Sequence, residues 1–69
     1  MIKLAERIQE LRKEKNMTQK EMADFLGITL RAYQHYEGGG RRPNLESLEV
    51  LADFFGVTID YLVGHSDKR

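Results

Sequence analysis

Sixty-nine residues hold one domain, 1–69, with no room for a catalytic module beside a binding module. At this size folding removes only about 60% of the unfolded chain's surface from water, so each apolar face has to be used. The absence of cysteine excludes disulfide staples, thiolate zinc sites and a cysteine nucleophile, and 41% hydrophobic with 32% charged residues is a globular composition.

No apolar run approaches the roughly 20 residues that span a bilayer, and Asp53 interrupts the longest candidate, Val50 to Phe55. The start, Met1-Ile2-Lys3-Leu4-Ala5-Glu6, reaches charge too soon for a signal peptide, so the expected address is cytoplasmic. Eleven basic and eleven acidic side chains cancel. They are unevenly placed, however: residues 1 to 42 carry nine Lys/Arg against six Asp/Glu, and residues 43 to 69 carry two against five. A neutral chain divided in this way can still turn a positive side to a phosphate backbone.

Leu4, Ile8 and Leu11 recur at helical spacing among good helix formers, with Lys3, Arg7, Glu10, Lys13 and Glu14 outside the stripe. This predicts a first helix over about 2–15, ended by Asn16, which tolerates the left-handed conformation. Thr18-Gln19-Lys20-Glu21 reads as a capping box, with Met17 and Met22 at the positions of a hydrophobic staple. Gly27 closes this second helix, and Thr29 caps a third that runs to about Tyr36.

So short a connection forces the second and third helices to cross steeply. At about 100° per residue, Ala32, Tyr33 and Tyr36 share one side of the third helix, and Leu30, Arg31, Gln34 and His35 the other. The run Gly38-Gly39-Gly40-Arg41-Arg42-Pro43 is a loop. Asn44 caps a fourth helix with Leu45, Leu48, Leu51, Ala52 and Phe55 as its apolar face and Glu46, Glu49 and Asp53 as a solvated acidic stripe. Thr58 caps a short fifth helix, Ile59 to Val63, stopped by Gly64, and residues 65–69 are expected to fray. The expected fold is all-α, a compact five-helix bundle.

Two histidines on different elements and no converging His/Glu spacing leave no basis for an enzyme, a metal site or a cofactor. The stronger pattern spans about 18–37. A small Ala23 where two helices approach, Gly27 in the turn, and Leu26, Ile28, Tyr33 and Tyr36 turned inward have the composition of a helix-turn-helix, whose second helix can enter a major groove.

With Arg12, the run Met17-Thr18-Gln19-Lys20-Glu21-Met22-Ala23, the turn Leu26-Gly27-Ile28, Tyr36-Glu37-Gly38-Gly39 with Pro43 and Leu45, Leu51-Ala52, and Asp60-Tyr61-Leu62-Val63-Gly64, the chain resembles the Cro/C1-type helix-turn-helix family of phage repressors and small bacterial regulators over about residues 4–64. The resemblance implies a lambda-repressor-like fold and double-stranded DNA as partner. Leu30, Arg31, Gln34 and His35 are then the expected base contacts. Arg31 can bond guanine O6 and N7 together, Gln34 can do the same with adenine N6 and N7, and Leu30 can meet a thymine methyl.

Gln19, Thr29, Gly40, Arg41 and Arg42 match positions near phosphates, although Gly40 stands where a basic residue is commoner and Tyr33 where an aliphatic one is. Arg12 and Glu37 match a structural salt bridge. Relatives place two copies on half-sites about 34 Å apart, so a homodimer is expected, with Phe54, Ile59, Tyr61 and Val63 as its apolar surface. The function implied is a sequence-specific regulator, a repressor on a palindromic operator. The alternative is an antitoxin or partner-binding adaptor that also represses its own operon.

Overall fold

The computed structural model describes residues 3–69, and five helices make up its regular structure: α1 Leu4–Glu14, α2 Gln19–Leu26, α3 Leu30–Gly38, α4 Leu45–Phe55 and α5 Ile59–Val63. The expected beginning of the first helix at residue 2 lies outside the described residues. Among these helices none is long and apolar enough to cross a membrane.

Side chains fix where four of the five helices begin. The Oγ1 of Thr18 accepts from the Glu21 amide at 3.1 Å while the Thr18 amide donates to Glu21 Oε1 at 2.8 Å, which is the expected capping box. Thr29, Asn44 and Thr58 accept in the same way from Ala32, Ser47 and Tyr61. The α2–α3 turn depends on Gly27, held at φ +71°, where a side chain would be strained. Its tightness lets the Ile28 amide donate to the Ala23 carbonyl at 3.0 Å.

The core is built from Leu4, Ile8 and Leu11 of α1, Met22 and Ala23 of α2, Tyr33 and Tyr36 of α3, Leu51 and Ala52 of α4, Val57, and Tyr61 and Leu62 of α5. Helix α3 therefore buries Tyr33 and Tyr36 of the side assigned to the core, with Ala32 half-buried, and its aromatic rings meet edge to face at 6.3 Å between centroids.

Three expectations are corrected. Arg7, placed outside the α1 stripe, is buried with 8% exposure. Its guanidinium donates to the carbonyls of Tyr61 and Ser66, each at 2.6 Å, pairs with Asp67 at 2.7 Å, and lies 4.0 Å from the centroid of the Tyr61 ring. A cation is tolerated there because two carbonyls, a carboxylate and a π face receive it.

The tail, expected to fray, is tied down by those bonds. The Thr58 amide donates to the Arg69 carbonyl at 3.1 Å, and Arg69 pairs with Glu14 at 2.8 Å. Leu45, assigned to the apolar face of α4, is 65% exposed and lies outside the core.

Candidate nucleic-acid interface

The outward side of α3 follows from its inward side. Because Tyr33 is fully buried and Tyr36 nearly so, helical geometry turns Leu30, Arg31, Gln34 and His35 to solvent, and all four are exposed. Leu30, at 39% exposure, has no partner in the core, and its place beside a guanidinium and an imidazole makes a mixed apolar and hydrogen-bonding surface.

A polar network behind this surface sets its orientation. The Glu37 carboxylate receives Arg12 Nε at 2.7 Å and Nη2 at 3.1 Å, Gln19 Nε2 at 3.2 Å, and the Tyr33 hydroxyl. Arg12 Nη1 donates onward to the Met17 carbonyl at 2.8 Å, so one ion pair joins α1, the start of α2 and the end of α3. Burial by itself would raise the Glu37 pKa, but the bonds from Arg12, Tyr33 and Gln19 outweigh it and hold the carboxyl below its ordinary range. Burial, reinforced by the bond to Glu37, pushes the Tyr33 phenol well above its usual value, so it stays a donor. The expected Arg12–Glu37 bridge thus has two further members, Tyr33 and Gln19.

Gln34 is exposed on the outer side of α3, as expected, and also reaches α2. Its Nε2 donates to Gln19 Oε1 at 3.3 Å. In the free chain this donor therefore meets Gln19 at the N-terminus of α2, and a bidentate adenine contact requires that exposed 3.3 Å bond to open. Gln19 lies 15 residues away on another helix, and the sequence gives no sign of this bond.

Thr29 uses its hydroxyl as the cap of α3. The Gly40 amide, expected at a phosphate, donates instead to the His35 carbonyl at 3.0 Å. A Cβ at Gly40 would come within 3.3 Å of His35 Nδ1, so the missing side chain gives the imidazole its room. Arg41 and Arg42 are exposed beyond it and form no ion pair with the described residues.

The candidate dimer residues divide. Tyr61 is a core residue at 8% exposure, covered by the Arg7 guanidinium, which removes it from a docking surface. Phe54, Ile59 and Val63 are half-buried, and the Phe54 ring packs 4.4 Å from Phe25, which is 47% exposed. The Phe25–Phe54 pair was not foreseen, since Phe25 falls on the outer side of α2.

A family model described as helix-turn-helix matches residues 8–62. The chain belongs to the Cro/C1-type helix-turn-helix family. It is 47% identical over 64 residues to the HTH-type transcriptional regulator AnsR of Bacillus subtilis, covering 93% of this chain and 55% of that protein. Over 63 residues it is 43% identical to the cryptic phage CTXphi transcriptional repressor RstR of Vibrio cholerae, covering 91% and 56%. The chain therefore spans about half the length of these curated relatives. The crystal structure of a transcriptional regulator from Listeria innocua superposes with a TM-score of 0.90 at 30% identity, covering all of this chain and 64% of the other.

Proposed function

We propose that this chain is the DNA-binding part of a transcriptional repressor, acting as a homodimer that sets α3 into the major groove at each half of a palindromic site. The observation carrying the reading is the division of α3, with Tyr33 and Tyr36 buried and Leu30, Arg31 and His35 exposed on the opposite side. Arg31 contacts guanine, Leu30 a thymine methyl, and His35 a neighbouring base edge. Gln19, supported by Glu37 and Gln34, and the cations Arg41 and Arg42 contact phosphates and set the register of the helix in the groove. Thr29 supports the first turn of α3 as its cap.

The repressor assignment leans on the phage repressor among the relatives. The homodimer rests on the short reach of one reading helix and on the half-buried apolar Phe54, Ile59 and Val63. In vitro selection of duplex DNA by the purified chain tests the reading. Enrichment of an inverted repeat with half-sites about ten base pairs apart supports it, and recovery of unenriched sequence refutes it. A second reading, a partner-binding adaptor that represses its own operon, is favoured by the exposed Phe25, Leu45 and Val50, and requires a protein that covers them.

A further inference from the structure

A cleft of about 320 Å³ separates the beginning of α1 from the loop after α3, and Lys3, Glu6, Tyr36, Gly39, Arg41 and Arg42 contribute to its lining. Three of these are cations and one is a carboxylate. Tyr36 is the unusual member. It is 8% exposed, its hydroxyl forms no hydrogen bond with the described residues, and it is not sealed from solvent, since no fully buried side-chain oxygen or nitrogen there lacks a partner. The Tyr33 hydroxyl, by contrast, is satisfied by Glu37.

Lys3 lines the same cleft, and its backbone is fixed there by the amide, which donates to the Val63 carbonyl at 3.3 Å. Lys3, which precedes α1, provides no side-chain cap, and the first turn of the helix, with Glu6, lines the same cleft, so the positive pole of α1 opens onto it. Three cations against the single Glu6 carboxylate, with a phenol donor and a helix start, leave the cleft net positive and match a tetrahedral oxyanion with several acceptor oxygens.

We infer that this cleft seats a phosphate, with the Tyr36 hydroxyl and the Lys3 ammonium as ligands beside Arg41 and Arg42, and that the phosphate belongs to the DNA backbone flanking the bases read by α3. This rests on the function proposed above and extends its phosphate contacts from the loop onto α1. Free phosphate has the same chemistry and is separated from DNA by experiment.

Tyr36→Phe keeps the ring in the core and removes only the donor, and Lys3→Gln removes only the charge; thermal melts of both establish that they fold. The expected result is about a tenfold loss of affinity for Tyr36→Phe, the same on the selected site and on scrambled duplex. The slope of log affinity against log salt should become shallower by about one for Lys3→Gln. In parallel, the Tyr36 ring resonances are followed by NMR while inorganic phosphate is added at constant ionic strength. Saturable shifts together with unchanged DNA affinity in both variants would keep the phosphate seat and overturn its assignment to DNA. Unchanged affinity with no shift overturns the inference entirely while the selected site still supports the regulator. If the unaltered chain selects no duplex, the proposed function fails, and the phosphate titration alone decides the cleft.

Discussion

The Glu37 carboxylate of α3 holds the Arg12 guanidinium of α1 by two hydrogen bonds, at 2.7 and 3.1 Å, with 4% and 11% of the two side chains exposed. Removing the carboxylate leaves a cation in a site with little water. Glu37→Ala is expected to cost about 3 to 5 kcal/mol of stability, measured by urea denaturation. A loss below about 1 kcal/mol would mean that Arg12 finds another acceptor.

The same carboxylate gives the fold an acid limit. Its pKa is lower in the folded chain than the ordinary 4.5. The unfolded chain therefore binds the extra proton first, and the stabilisation is present above that value and lost as pH falls through the folded one. Melting temperature should decline below about pH 4.5. Tyr33→Phe removes one of three donor residues and thereby raises the folded pKa, so the decline should start at the same pH but be smaller and end at a higher pH. An identical acid profile for the two proteins would contradict the role given to the Tyr33 hydroxyl.

Residues 65–69 are expected to stabilise the fold through Arg7. Ending the chain after Gly64 removes the Ser66 carbonyl and Asp67 from a buried guanidinium, a loss of about 2 to 4 kcal/mol. Asp67→Asn, whose side chain is 91% exposed, should cost less than about 1 kcal/mol. Thermal melts of both distinguish a docked tail from a frayed one, which would show no effect of the truncation.

Gln34 supplies a contrast with Arg31. If its amide braces Gln19, Gln34→Ala weakens binding to every duplex by a similar factor, through a less well held phosphate contact. Competition assays over single-base variants of the selected site measure this. Loss concentrated at one adenine would restore Gln34 to base reading.

Elements whose cause is local were legible before any coordinates. The capping box at Thr18, the caps at Thr29, Asn44 and Thr58, the left-handed Gly27 and the phase of Tyr33 and Tyr36 each depend on a few neighbouring residues. The burial of Arg7 has no local sign because its acceptors lie 54 to 60 residues away, and a cation outside a helical apolar stripe normally marks the solvated side. Leu45 continues the apolar spacing of α4, but spacing alone does not say which apolar positions find a partner in the core. The Gln34–Gln19 bond depends on how α2 and α3 cross, which no periodicity specifies.

Methylation interference on the selected site tests most directly whether α3 reads bases from the major groove. A methyl on guanine N7 blocks the edge that Arg31 is placed to contact. Binding should be lost when one particular guanine in each half-site carries it, and Arg31→Ala should bind weakly but without that dependence. Interference confined to adenine N3 in the minor groove, or the same guanine pattern for Arg31→Ala, would contradict the account.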